Sequence, residues 1–252
     1  MNKIKKLPLF LALLLLFSCD EFPSSTVSDR DIAAGLKSAL EVGSKYALKT
    51  LGKEDGFLMD QAVKILLPED AAKLINTVKN NPILASTLGN VAKQIEEQLI
   101  LTINRAAEAA IDGVIPIVID AITSMTISDA RSILFSSNEI AATDYLRVKT
   151  YDPLSDVCCS VIEGALNKKI VLNISAQEVW GKLTGLYNDA AAIVAFIPGL
   201  HLDPIETNLA LYSTQKTLDG VFLKVGNEEI KIRTDVSARV NDLLRKVFGL
   251  LD

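Results

Sequence analysis

The sequence predicts an all-α protein: a single-domain bundle of several helices around one long central helix, with at most a minor short pair of β-strands. Hydrophobic residues make up 49% of the chain and aromatic residues only 6%, and alanine and leucine supply half of the hydrophobic residues. These two residues favour helices, and small side chains let helices approach closely. Signals for helix starts and stops recur along the chain, and no internal repeat or long polar linker divides it.

The predicted central helix covers Gln94 to Asp120, the most apolar part of the chain outside its N-terminal segment. On a helical wheel, one broad face collects Ile95, Leu99, Ile103, Ala106, Ala107, Ala110 and Ile111, and the opposite face collects Gln94, Glu97, Gln98, Arg105, Glu108 and Asp112. An apolar face this broad needs neighbours on several sides, so we expect the other helices to pack around this one. Gly113 and Pro116 predict a kink or a division, because proline removes a helical hydrogen bond.

The first eighteen residues predict a lipoprotein signal peptide. Three lysines precede an apolar run over 7–17 that is too short to span a bilayer. The sequence Leu16-Phe17-Ser18-Cys19 resembles a bacterial lipobox, in which the cysteine receives fatty acyl chains such as palmitate before cleavage. An ordinary signal peptide with an incidental cysteine is the alternative.

On the lipobox interpretation the chain has three parts. Residues 1–18 are the signal peptide, 19–27 are the lipidated cysteine and a short tether, and 28–252 are the helical domain. Acyl chains on Cys19 would hold the domain on a membrane, because each buried CH₂ contributes about 0.8 kcal/mol. We therefore expect a lipid-anchored protein of the cell envelope, on the periplasmic side of the inner or the outer membrane.

The net charge argues against a nucleic-acid partner. It is −5 for the whole chain, and the first 18 residues contain three of the 26 basic residues and none of the 31 acidic ones, so the remainder carries −8. No basic patch is left to displace counterions from phosphates. Because the remainder has no apolar run of about 18 residues, the sequence also predicts no membrane-spanning helix there.

The first half of the domain is predicted to be mostly helical. The expected elements are a helix from 28 to about 50, a loop over 51–60, a short strand over 63–67, a helix from 68 to 80, and the long helix that begins at 82. Ser28 with Asp31 resembles a capping pair at the first helix. Pro68 and Pro82 suit the first turns of the next two helices.

The second half continues in the same way. The expected elements are a helix from Ser128 to Phe135, a helix from Glu139 to Thr150 and a separate helix from Asp152 to near Lys169. An extended run over 170–174 follows and could pair with 63–67. One further helix is expected to begin at Ser175, another to begin at Asp203, and the last to end at Gly249. Ser175 with Glu178 and Asp203 with Glu206 have the spacing of capping boxes. Residues 221–233 are either a hairpin with a Gly-Asn turn or an interrupted helix.

Several segments spread over nearly the whole domain share a pattern with one protein family. They are Gly35 to Leu40, Asn104 to Ala109, Ala141 to Tyr145, Lys149-Thr150, Leu218 to Phe222, Glu228-Glu229 with Ile232-Arg233, and Leu243 to Gly249. In this order they resemble the uncharacterised bacterial envelope proteins catalogued as domain of unknown function 4197. The resemblance implies an all-helical, exported or lipid-anchored protein with no established activity. It also favours a helix over a hairpin at 221–233.

The sequence contains few of the residue patterns of an enzyme. Its one histidine, His201, lacks the neighbours of a Ser-His-Asp or Cys-His site and the spacing of a metal site. Phosphate-binding glycine loops are missing as well. We therefore expect no metal and no cofactor. Cys158 and Cys159 are adjacent in a predicted helix, so we expect them to pack in the core, with a redox role or a strained disulfide as the alternative.

Polar residues of the family-like segments form the one candidate site. Weak candidates for catalysis are Arg105, Glu108, Asp144 and Asp219, and Asp112, Thr143, Lys149, Glu229 and Arg233 could join them. If these residues converge under other helices, carboxylates with perturbed pKa values could act as acid and base. If they face water they are a solvated surface, and a buried network that fixes helix register is the third hypothesis. The structural hypotheses are favoured because ion pairs are common and catalytic sets are rare.

Two non-catalytic functions therefore come before an enzyme. The first is an interaction module that presents a polar or grooved face to another envelope protein. The second is a carrier of a lipid or a small hydrophobic ligand, for example in a cavity beneath residues 193–198. A large enclosed apolar cavity would favour the carrier, whereas tight packing with one exposed patch would favour the interaction module.

Overall fold

A helix of 43 residues, α3 (Pro82–Ser124), runs through the middle of the structure. This computed structural model describes residues 27–171, 174–196 and 203–252. The other helices are α1 (Asp29–Leu51), α2 (Glu69–Asn80), α4 (Ile127–Leu134), α5 (Ala141–Leu166), α6 (Ala176–Val194), α7 (Leu209–Thr234) and α8 (Asp242–Phe248). Over these ranges the strands are one antiparallel pair, β1 (Lys169–Val171) and β2 (Ile174–Ser175). The all-α prediction is confirmed.

Some of the predictions concern residues outside the described ranges. The signal peptide, the acylated Cys19, most of the tether, and His201 belong to this group.

Four helices form the core of the fold. They pack mainly in the cyclic order α1, α3, α5, α7, and α3 also touches α7. Helices α4 and α8 cover α1, whereas α2 and α6 pack on α3. The predicted apolar face of α3 is buried in this core from Leu99 to Ile111, and Ile95 is partly buried at its edge. The expectation that other helices surround α3 is therefore confirmed.

Helix α3 continues without interruption through Gly113 and Pro116, so of the two predicted outcomes, a kink or a division, the division is wrong. Val114, Val118 and Ile122 are buried around the proline, and their packing holds the helix together despite the lost hydrogen bond. Gly113 serves a different purpose. A Cβ atom there would lie 2.4 Å from Cγ1 of Val157, so the glycine permits a close crossing of α3 and α5.

Helix α5 also contains a proline that was expected to begin a new helix. The two predicted helices are one, and Pro153 lies inside it. Buried residues on both sides of the proline, from Leu146 to Ile162, keep this helix packed between α3 and α7. In both long helices, therefore, the packing of buried residues outweighs the tendency of proline to end a helix.

Helix caps were predicted with mixed success. The capping boxes of Ser28 with Asp31 and of Ser175 with Glu178 are confirmed, as is Gly249 at the end of α8. Helix α4 begins one residue before the predicted cap Ser128, because Thr126 forms the capping box with Asp129. The candidate Asp203 cap is wrong, since α7 begins at Leu209 behind Asn208.

The reason that residues 203–208 are not helical is a tertiary contact. The side chain of Asn188 in α6 accepts a hydrogen bond from the Ile205 N–H at 2.7 Å and donates to the Ile205 carbonyl at 3.0 Å. Both backbone groups are therefore occupied outside a helix. The helix favoured for 221–233 is confirmed as the second half of α7.

The strand expected over 63–67 is not formed. This segment is irregular, and β1 pairs with β2 instead of with it. No single helix among the described residues is long and apolar enough to cross a membrane. Residues 85–124 and helix α4 meet that length and composition only as a pair bent by 98°.

Candidate functional site

The first polar cluster lies on one turn of α3 and holds the loop that follows α1. Glu108 is only 6% exposed, and its Oε1 accepts hydrogen bonds from the backbone N–H groups of Phe57 at 3.1 Å and Leu58 at 3.3 Å. Its Oε2 accepts from Arg105 at 2.7 Å, and Arg105 also donates to Asp55 at 2.7 Å. The carboxylate is thus bound on both oxygens by groups of its own fold.

Asn104 extends this cluster, and sequence reasoning did not single it out. It is fully buried, its Oδ1 accepts from the Ile65 N–H at 2.9 Å, and its Nδ2 donates to the Ile65 carbonyl at 2.7 Å. The Asn104 side chain therefore forms the two hydrogen bonds that the Ile65 backbone would otherwise form with a neighbouring strand. The signal in the sequence was its position directly before Arg105 in a family-like segment.

The second cluster joins three helices in the core. Glu229 of α7 accepts hydrogen bonds from the N–H groups of Ala142 at 3.0 Å and Thr143 at 2.8 Å, and from the Thr143 hydroxyl at 2.8 Å. Arg233, one turn later, donates to Glu229 at 3.0 Å and to the carbonyls of Ile133 and Leu134 at 2.9 and 3.0 Å. The pair thus caps the start of α5 and the end of α4 together.

This second cluster brings together Thr143, Glu229 and Arg233, three of the nine residues that the hypothesis of a buried network expected to converge. Each carboxylate oxygen of Glu229 has partners, and Arg233 donates from all three of its nitrogens. The geometry matches the structural version of that hypothesis, in which the network fixes the helices relative to one another.

A third cluster, also missed from the sequence, lies near the last residue. Arg239 is 1% exposed and donates to both carboxylate oxygens of Asp252, at 2.6 and 2.7 Å. It also donates to the backbone carbonyls of Ile232 and Arg233, at 3.1 and 3.0 Å. Its hydrogen bond holds the pKa of Asp252 below the ordinary value. This arginine lies outside the family-like segments, which is why no sequence signal pointed to it.

The four weak catalytic candidates lie in three separate places. Arg105 and Glu108 are neighbours in the first cluster, as their spacing predicted. Asp144 accepts a hydrogen bond from the Asn138 side chain at 2.7 Å near the start of α5. Asp219, half exposed on α7, lies 3.6 Å from Arg147 and 3.8 Å from Lys216. The side chains needed for a shared acid and base site are thus each paired locally.

The thiols and the described acidic residues offer no further reactive centre. Burial raises the pKa of Cys158 to about 12, and burial is also the main cause that raises the pKa of Cys159. Both are free thiols, so neither forms the alternative strained disulfide. Because thiolates are the nucleophiles, these protonated thiols are poor ones. Among the described residues, no three His, Cys, Asp or Glu side chains are grouped to hold a metal ion.

A spacious groove lies between α3, α4 and α5 and has a volume of about 660 Å³. Its walls include Pro116, Pro153 and the ring of Tyr145, whose hydroxyl lies 3.5 Å from Asp129. The Lys149 ammonium lies 5.7 Å from the centre of that ring. Hydrogen bonds from Thr126 lower the pKa of Asp129, whereas burial and then Asp129 raise that of Tyr145. The groove therefore holds fixed charges but no activated nucleophile.

One small cavity lies among the described helices. The cavity between α1, α7 and α8 has a volume of about 10 Å³, which is close to the size of one water molecule. Large apolar side chains are exposed elsewhere, on α6 and on the first half of α3. On α6 and just after it these are Leu186, Ile193 and Phe196, and on α3 they are Ile83, Leu88 and Val91.

Comparison with known proteins gives one match. A family model described as a protein of unknown function (DUF4197) matches residues 26–249, which is most of the chain. No curated protein and no solved structure matches the chain.

Proposed function

We propose that this chain, which belongs to the protein family of unknown function DUF4197, is a membrane-anchored module of the cell envelope that acts by contact with other proteins. The observation that carries the proposal is the contrast between its buried charged side chains and its exposed apolar ones. The buried charged residues are occupied by backbone groups of the fold, whereas large apolar side chains on α6 and α3 are left exposed. Contiguous exposed apolar surface marks interaction sites, and Leu186 and Ile193 are exposed on the same side of α6.

The burial of charge supports a structural role for the family-like polar residues. Removing a buried carboxylate from water is unfavourable unless hydrogen bonds replace the lost hydration. Glu108 and Glu229 obtain those hydrogen bonds from the loop after α1 and from the start of α5. A catalytic carboxylate has to reach a substrate, and these two face the protein instead. Their geometry therefore supports scaffolding and gives no support to the enzyme hypothesis.

The same interior gives the carrier hypothesis little support. A lipid or drug-sized ligand occupies a pocket of roughly 300 Å³ or more, largely closed around it. The enclosed cavity beside α1 is far smaller, and the spacious groove beside α5 is open and lined by charged residues.

Native mass spectrometry tests the choice between contact module and carrier. The chain from Asp20 onward, purified from cells, is expected to give the mass of the protein alone or of its multiples. A stoichiometric lipid or metabolite, released on denaturation, would replace the contact module by the carrier.

The anchor rests on the lipobox-like sequence that ends at Cys19. Export and acylation at this position would place the domain within a short tether of a membrane, since 20–27 comprises eight residues and reaches at most about 29 Å. Two or more acyl chains are needed for stable anchoring, which the acylation of a lipobox cysteine would supply. The strongly negative domain adds no electrostatic attraction to anionic lipids, so attachment should depend on the acyl chains.

Substitution Cys19→Ala is expected to abolish incorporation of an alkynyl palmitate label and to remove the chain from the washed membrane fraction. The matched control is Cys159→Ala, a partly exposed thiol on α5, which should leave both properties unchanged. Retention of label after Cys19→Ala would contradict the anchor.

A further inference from the structure

Helix α6 has a second apolar face, which the described part of the chain leaves exposed at Leu186 and Ile193 and covers in part at Val179. Val179, Leu183, Leu186 and Ile193, which we name the α6 strip, follow one another at intervals of four, three and seven residues. With these intervals the four residues occupy a and d positions of a heptad on one side of the helix, which is the pattern by which two helices pair. Leu186 is 74% exposed and Ile193 is 68% exposed.

The exposed part of the α6 strip points away from the face by which α6 attaches to its own domain, and Val179 lies where the two faces adjoin. Trp180 and Ala191 are buried, and the Trp180 indole N–H donates to the Thr207 carbonyl at 3.0 Å. At about 100° per residue, these two residues lie roughly 100° away from the α6 strip. The helix therefore has one apolar side that faces its own core and a second that faces outward.

The ends of the α6 strip are spaced symmetrically about Leu186, so the strip can pair with the same strip of a second copy. In an antiparallel pair with a two-fold axis at Leu186, each leucine meets its counterpart. Val179 lies seven residues before the axis and Ile193 seven residues after it, so Val179 of one copy lies opposite Ile193 of the other. A two-fold contact of this kind uses the same patch on both molecules.

The charged residues beside the α6 strip also favour the antiparallel pair about Leu186. Lys182 and Asp189 are both exposed and lie on the same flank of the strip, four residues before Leu186 and three residues after it. The two-fold axis brings Lys182 of one copy beside Asp189 of the other, and the pair occurs twice. A parallel arrangement in register would place Lys182 and Asp189 of one copy on the opposite side of the helix pair from those of the other, so these charges would not meet.

We propose that the α6 strip is the contact surface between two copies of this chain, paired antiparallel about Leu186. The inference rests on the proposed function, since it names the chain itself as a partner of the contact module. One helix pair lies at the low end of the roughly 1,200–2,000 Å² that stable interfaces bury, so the contact is weak in dilute solution. Anchoring at Cys19 would raise the local concentration of copies and favour pairing at the membrane.

Cysteine cross-linking of the full-length chain in membranes tests the contact. In a Cys159→Ser background, Leu186→Cys is expected to give a disulfide-linked dimer on treatment with copper phenanthroline, because the two thiols meet at the axis. The matched control is Gly181→Cys, on the far side of the helix from the strip, where a Cβ atom would meet nothing within 4 Å. This control should remain monomeric. Equal cross-linking of the two variants, or none of either, would overturn the proposal.

Charge exchange tests the antiparallel register. Lys182→Glu or Asp189→Lys alone should weaken cross-linking at position 186 roughly tenfold, because two attractive pairs become repulsive. The two substitutions in one chain should restore it, since the opposite charges meet again. Failure of the double variant to recover would overturn the register and with it the proposal, as would a monomer whose α6 strip inserts into phosphatidylethanolamine vesicles.

The outcomes also separate this inference from the proposed function. A chain that incorporates the palmitate label but does not cross-link at position 186 would remove only the self-contact. A chain that cross-links without incorporating the label would remove only the lipid anchor.

Discussion

Glu229 and Arg233 show how a charged pair can organise a fold without taking part in chemistry. Their hydrogen bonds end one helix and begin another, so a single turn of α7 sets the α4–α5 corner. Both side chains are nearly inaccessible to water. Removing one partner of such a pair leaves the other charge buried and unpaired, which is more destabilising than losing an exposed ion pair.

Substitution Glu229→Gln is therefore expected to lower the free energy of unfolding by about 3–5 kcal/mol. The adjacent Glu228 provides a matched control, because it pairs with the exposed Lys231 at the surface. Glu228→Gln should lower the free energy by less than about 1 kcal/mol. Urea denaturation followed by circular dichroism measures both values. Equal losses for the two variants would show that the buried pair has no special role.

Some residue-level features could be predicted from the sequence. The spacing of Arg105 and Glu108 predicts that they meet on one face of a helix, and they do. The partners of Glu108 could not be predicted, because the backbone amides of Phe57 and Leu58 reach it only after the loop folds back on α3. Local spacing therefore identifies pairs within one helix but not contacts between distant segments.

At the level of elements, the two prolines inside helices were the main source of error. Sequence rules treat Pro116 and Pro153 as breaks, since each removes one hydrogen bond. Here the loss is outweighed by buried residues around each proline, and packing is a tertiary property. Capping boxes were predicted better because their hydrogen bonds lie within four residues.

The crossing of α3 and α5 at Gly113 gives a prediction at this scale. Gly113→Ala should lower the free energy of unfolding by about 1–3 kcal/mol, because the new methyl group overlaps the stiff side chain of Val157. Combining it with Val157→Ala should recover part of the loss, as expected for two residues in contact. Thermal melts of the single and double variants measure this coupling.

The control for this prediction is Gly164→Ala, in the last turns of α5. No atom lies within 4 Å of the new Cβ there, and alanine favours helices, so stability should rise by about 0.5–1 kcal/mol. Additive effects of Gly113→Ala and Val157→Ala would refute the close crossing.

For the whole molecule, hydrogen bonds to carboxylates predict acid sensitivity. The pKa values lowered below the ordinary 3.8 include those of Asp31 through Lys246, Asp60 through Lys224, Asp129 through Thr126 and Asp252 through Arg239. A carboxyl group whose pKa is lower in the folded state than in the unfolded state stabilises the fold at pH values above its unfolded-state pKa. This contribution is lost as the pH falls from about 4 through the folded pKa values.

We therefore expect the urea midpoint to change little between pH 5 and pH 7 and to fall between about pH 4 and pH 2. Asp252→Asn should reduce the size of this fall, because one of the responsible carboxyl groups is removed. An unchanged midpoint at pH 3 would contradict the linkage. An acid response identical in the Asp252→Asn variant would exclude Asp252 as a contributor.

The general architecture was predictable, whereas the arrangement of its helices was not. Composition and periodicity predicted one helical domain around α3, and the structure confirms this. Nothing in the sequence pattern indicated that α1 packs between α3 and α7, or that the exposed apolar residues of α6 face outward. These features depend on contacts between residues far apart in the chain, which a single sequence does not reveal.

The position of α1 has a consequence for how the molecule is made. Its neighbours include α7 and α8, and Asp31 near its start lies 3.2 Å from Lys246 near the end of the chain. Helix α1 therefore completes its packing only after α7 and α8 have been synthesised, which delays closure of this core. On the export that we propose, such a delay would favour translocation, because an open chain crosses a membrane more readily than a closed one.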